Sequence, residues 1–102
     1  MYLMVTSFYP ADKVKDVTNI YVKMMTKYPD DTSVATPLVQ CAVKTTLEGI
    51  RVIHISDVKK GKLEAALDYA IKRMTMFYEI PGYKWQIETS LNIEEAMKTI
   101  SM

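Results

Sequence analysis

One cysteine, one histidine, one tryptophan and three glycines are all that this 102-residue chain holds of those residue types. Cys41 has no second cysteine to pair with, so an intramolecular disulfide is excluded. That suits a reducing compartment, and a cytoplasmic location is expected. A single histidine and a single cysteine, far apart in sequence, make no zinc motif, so no metal is expected. The run Lys59-Lys60-Gly61-Lys62 has one glycine where a phosphate-binding loop needs several, and it reads as a solvated turn. No G-x-S-x-G or catalytic Cys–His signature is present, and no cofactor is expected.

Two further shortages narrow the class. No apolar run approaches the ~20 residues of a membrane helix, and MYLMVTSFYPADK lacks the basic start and small-residue cleavage site of a secretory leader. No membrane association is expected. Charge of one sign is not in excess, with 13 Lys and Arg against 12 Asp and Glu. A net charge of +1 gives no field to draw nucleic acid, which is not an expected partner.

What the chain does have is alternating and helical periodicity in a clear order. Tyr2 to Tyr9 is rich in β-branched and aromatic residues and predicts a first strand. Pro10 then suits the first position of a helix running to Tyr28. Val14, Val17, Tyr21, Met24, Met25 and Tyr28 recur at three- and four-residue steps as its apolar stripe. Tyr28-Pro29-Asp30-Asp31 ends it, because proline disfavours helical geometry in the residue before it. Pro37 to Thr46 and Ile50 to Val58 predict a hairpin around Leu47-Glu48-Gly49. A second helix is expected from Lys62 to Glu79, with Leu63, Ala66, Leu67, Ala70, Ile71, Met74 and Phe77 as its core stripe. Pro81-Gly82 ends it, and Tyr83 to Ser90 predicts the fourth strand. A short last helix should start at Asn92, where Glu95 three residues on completes a capping box. Its apolar face would be Ile93, Ala96, Met97 and Ile100.

This βαββαβ order predicts one small soluble α+β domain over residues 1–102. It should be a ferredoxin-like, four-stranded antiparallel sheet with two helices on one face, strand order four-one-three-two. Strand side chains alternate between faces. Leu3, Val5, Val39, Cys41, Val43, Ile53, Ile55, Trp85 and Ile87 are expected beneath the helices. Met4, Thr6, Phe8, Gln40, Ala42, Lys44, Val52, His54, Ser56, Gln86 and Glu88 are expected on the other face. That second face is too apolar for solvent and too polar for a core.

Element order and the mixed second face resemble the dimeric α/β-barrel superfamily, which includes antibiotic-biosynthesis-type monooxygenases and muconolactone-isomerase-like proteins. The resemblance covers the whole chain and carries no motif. It implies a homodimer formed sheet to sheet, with a cavity on that face open to a small hydrophobic ligand.

Candidate chemistry follows from that placement. His54 would be the acid or base, because its ordinary titration range suits proton transfer. Glu88 would be its partner, and Thr6, Gln40, Lys44, Ser56 and Gln86 would orient a ligand. Tyr69, Arg73 and Met76 form a second stripe on the second helix, with Arg73 available for an anion. The bland alternatives are a structural histidine and aromatic packing. Two functions remain open: binding of a small molecule or partner, or a cofactor-independent monooxygenase- or isomerase-type enzyme.

Overall fold

The computed structural model describes residues 1–101. Four strands form one antiparallel sheet: β1 (Tyr2–Tyr9), β2 (Ala35–Thr45), β3 (Ile50–Val58) and β4 (Lys84–Ser90). Their order is β2-β3-β1-β4, as the split βαβ pattern predicts. Helices α1 (Val14–Lys27) and α2 (Leu63–Thr75) supply the cover, and α3 (Ile93–Ser101) follows β4. Among the described residues no helix is long and apolar enough to cross a membrane.

The helices are shorter than their periodicity suggests. Pro10 stays extended, with φ −61° and ψ 145°, and a 3-10 turn over Ala11–Lys13 precedes α1. Past Thr75 the chain continues in turns that still bury Phe77 and Ile80. The capping box at α3 forms in full: Glu95 N–H donates to Asn92 Oδ1 at 2.8 Å, and Asn92 N–H donates to Glu95 Oε1 at 3.0 Å.

The faces of the sheet follow from register, since directly opposed residues share a face. Leu3, Val5, Ser7 and Tyr9 are the buried residues of β1. They stand opposite Ser56, His54, Val52 and Ile50. The helix-covered face of β3 is therefore Ile50, Val52, His54 and Ser56. Ile53 and Ile55, opposite Thr6 and Met4, lie on the open face. This reverses the expected assignment for β3. The reason is charge: Arg51 and Asp57 share the row of Ile53 and Ile55, so turning that row inward would bury both ions. Arg51 is exposed.

Strand β2 also departs from simple alternation. Its ladder with β3 shifts register between Pro37 and Val39, and again between Val39 and Ala42. Val39 consequently opposes Ile55 on the open face, and Val43 opposes Val52 beneath the helices. The second shift sets both Gln40 and Cys41 against His54, the two-against-one geometry of a β-bulge. At the hairpin turn Gly49 has φ +152°, and a Cβ there would lie 2.5 Å from the Tyr9 carbonyl oxygen. Only glycine fits this approach of the turn to β1.

Candidate ligand-binding site

A cavity of about 330 Å³ lies between the sheet and the two covering helices. Its floor is Leu3, Val5 and Ser7 of β1 with Val52, His54 and Ser56 of β3. Its roof is Val17, Tyr21 and Met24 of α1 with Tyr69, Arg73 and Met74 of α2. Among the described residues no large side chain is completely buried. A well-filled interior would close around several such side chains, so the open space belongs to this arrangement.

The bulge builds the polar wall. Gln40 turns its main-chain carbonyl to His54 Nδ1 at 2.6 Å. A carbonyl oxygen can only accept, so Nδ1 carries the proton and donates it. Neutral His54 is thereby held in the tautomer whose Nε2 is a free acceptor. Among the described residues Nε2 has no hydrogen-bond partner. The Gln40 side chain donates from Nε2 to Asp30 Oδ2 at 2.7 Å, and Asp30 Oδ1 lies 3.3 Å from Arg73 Nη2. One chain of contacts thus runs from α2 through the segment after α1 and the β2 bulge to β3.

Arg73 is held on several sides. Its guanidinium also donates to Met25 Sδ and stands 5.8 Å from the centroid of the Tyr69 ring. The Tyr69 hydroxyl donates to the Pro29 carbonyl, and the ring meets Tyr28 edge to face at 5.9 Å. Arg73 Nε is buried without a partner. The expected anion site is therefore already answered by Asp30.

At the other end three rings stack. Tyr83 lies 4.6 Å from Phe77 and 5.9 Å from Tyr9, in nearly parallel planes. Burial pushes the Tyr83 hydroxyl up to about 12, against a hydrogen bond from Ser7 that favours the charged form. Burial raises Tyr9 and Tyr21 as well, with the nearby Cys41 adding to both. The Cys41 thiol lies 3.9 Å from the Tyr21 hydroxyl. These tyrosine hydroxyls accordingly stay neutral, and the carboxylates of the cavity wall are Asp30, paired with Arg73, and Asp31, which accepts from Ser33.

The expected site residues divide between the two faces. His54, Gln40, Ser56 and Arg73 meet in the cavity beneath the helices. Thr6, Gln86 and Glu88 lie on the open face, where Thr6 opposes Gln86 and Met4 opposes Glu88. Gln86 donates to Glu88 at 3.0 Å. Lys44, opposite Arg51, shares that outer face. His54 and Glu88 therefore point to opposite sides of the sheet and form no acid–base pair. Asp30 and Tyr21 join the cavity without having been singled out. Asp30 sits in a turn signal, and Tyr21 read as core.

No protein-family model matches the sequence, and neither does any curated protein. A formyltetrahydrofolate deformylase from Pseudomonas putida is similar in structure, with TM-score 0.55 and 5% identity over 88% of this chain. The chain spans 29% of that enzyme's length. A protein from Agrobacterium tumefaciens aligns at TM-score 0.47 and 7% identity, over 91% of this chain and 96% of its own. The first likeness shows a shared fold, compatible with the ferredoxin-like arrangement, and says nothing of activity.

Proposed function

We propose that this chain is a small-molecule-binding domain whose ligand sits between the sheet and the helices. The observation that carries the reading is the cavity itself, apolar over most of its wall and supplied with a few converging polar groups at the β2 bulge. Ligand sites commonly combine these two features. The covered face thus takes the role first expected of the open face. Saturable binding of naphthalene, one per chain, lost in Ala70→Phe, is the expected result. Naphthalene that fails to saturate the wild type would remove the reading.

The open face then serves assembly. Met4, Phe8, Val39, Ile53 and Ile55 make it apolar, and α3 leaves Ile93, Met97 and Ile100 exposed. A second copy of the chain, meeting this face sheet to sheet, would cover apolar area that solvent otherwise holds.

A second reading is supported by the tautomer of His54. An unpartnered Nε2 at an apolar cavity is a candidate general base, and a cofactor-independent isomerase- or monooxygenase-type reaction on a small hydrophobic substrate would use it. Turnover that disappears in His54→Ala while naphthalene binding persists would favour this reading over simple binding.

A further inference from the structure

The polar groups at the cavity differ in what they have left to offer. Arg73 turns Nη2 to Asp30 and Met25, which leaves its charge answered and the buried Nε without a partner, and Asp30 is spent on Arg73 and Gln40. Asp31 Oδ1 accepts from both the N–H and the hydroxyl of Ser33. An incoming anion would lose its hydration and find no free cation. An incoming cation would find Asp30 already paired with Arg73, and only the exposed Asp31, screened by solvent, still carrying charge. His54 Nε2 is different: the bulge carbonyl fixes it as an acceptor, and it has no partner among the described residues. Five aromatic residues line the same space, Tyr9, Tyr21, Tyr69, Phe77 and Tyr83. Rings of this kind favour ring-shaped guests through stacked and edge-on contacts.

Resting on the cavity reading above, we propose that the site selects a neutral aromatic alcohol whose hydroxyl donates to His54 Nε2. The selection is for a donor. A ketone or ether of the same shape presents only lone pairs to a lone pair, and leaves Nε2 dry and unpaired. The Gln40–Cys41 bulge is the positioning device. Without its carbonyl, the imidazole could turn or exchange tautomers and accept either kind of group.

Calorimetry on the full chain with 2-naphthol, 2-methoxynaphthalene, naphthalene and 2-naphthoate tests this. 2-Naphthol should bind about three- to tenfold more tightly than the methoxy compound and naphthalene, the gain expected of one hydrogen bond. 2-Naphthoate should bind more weakly than 2-naphthol. In His54→Phe the naphthol advantage should vanish while naphthalene still binds. Equal affinities in the wild type, or an advantage that survives in His54→Phe, would overturn the donor selection and leave the cavity reading standing. Tightest binding by 2-naphthoate would overturn it in favour of an anion site at Arg73. Binding of none would remove the cavity reading and this inference with it.

A second measurement needs no variant. His54 is the only histidine, so the two imidazole nitrogens give one pair of ¹⁵N signals. Nδ1 should appear as the protonated nitrogen and Nε2 as the unprotonated one. 2-Naphthol should move the Nε2 signal, and 2-methoxynaphthalene should not. A protonated Nε2 with a bare Nδ1 in the neutral ring would overturn the proposal.

Discussion

Arg73 of α2 reaches Asp30 at the approach to β2, with Nη2 3.3 Å from Oδ1 and side chains only 14% and 26% exposed. The pair ties the roof of the cavity to its polar wall, because the other oxygen of Asp30 accepts from Gln40. Removing one partner leaves the other half-buried and uncompensated, which costs more than the pair itself contributes.

Arg73→Ala should therefore lower stability by about 2 kcal/mol. Asp30→Asn/Arg73→Met should recover part of the loss, because it removes both charges and puts a thioether beside Met25. Urea unfolding of the two single variants, Asp30→Asn and Arg73→Met, with the double variant gives the coupling. A coupling near zero would mean that solvent screens the pair and that other contacts hold the roof.

The hairpin turn admits a sharper test. Gly49 combines φ +152° with a main-chain oxygen 2.5 Å from where a Cβ would stand. That oxygen belongs to Tyr9 in β1 and cannot move without disturbing the Tyr9–Ile50 pairing. Gly49→Ala should cost about 2–3 kcal/mol, from backbone strain together with the clash. Gly61 has φ +76° in open space, so Gly61→Ala carries strain without the clash and should cost less. Equal losses in thermal unfolding would show that the clash relaxes freely.

Much of the fold was legible because local signals agreed with one another. Pro29, Gly49 and Pro81-Gly82 punctuate the chain where the structure turns, and Asn92 with Glu95 marks the start of α3. The facing of β3 was not legible from apolar residues, since Val52 lies on one side and Ile53 with Ile55 on the other. Arg51 and Asp57 were the usable signal, as neither ion could turn inward. The candidate site was half legible. His54, Gln40, Ser56 and Arg73 were named, the first three on the strength of an open face that none of them lines and Arg73 from a stripe on the second helix. The bulge at Gln40–Cys41 has no glycine or proline to announce it, and it is what turns Gln40 inward. Asp30 meets Arg73 only through the packing of α2 over the sheet, which no local pattern encodes.

Alkaline conditions should destabilise the protein in a defined window. Burial holds Tyr83 protonated up to about 12 in the folded state, against 10.0 for an exposed tyrosine. Above pH 10 the unfolded chain loses this proton before the folded one does. Stability is thus fully present below pH 10 and falls as pH rises toward 12, by about 2–3 kcal/mol from Tyr83. Tyr9, Tyr21 and Tyr69 are shifted in the same direction and add to the fall. Guanidinium midpoints at pH 9 and pH 11.5 should differ less in Tyr83→Phe than in the wild type. An equal pH dependence in both would place the effect on the other tyrosines.

The proposed partner face is open to a test that leaves the cavity alone. Ile55 stands opposite Met4 and Val39, on the side of the sheet turned away from His54. A lysine there would set a charge among apolar neighbours at a sheet-to-sheet contact, where it would be desolvated without a partner. In the isolated chain the same lysine can extend its ammonium to water along its own apolar stem. Ile55→Lys should therefore shift the mass measured by light scattering from two chains to one, while naphthalene binding stays within about twofold, because no cavity contact changes. A wild type that is already one chain at high concentration would remove the proposed dimer. A variant that remains two chains would move the contact elsewhere, and the exposed Ile93, Met97 and Ile100 of α3 would be the next residues to charge.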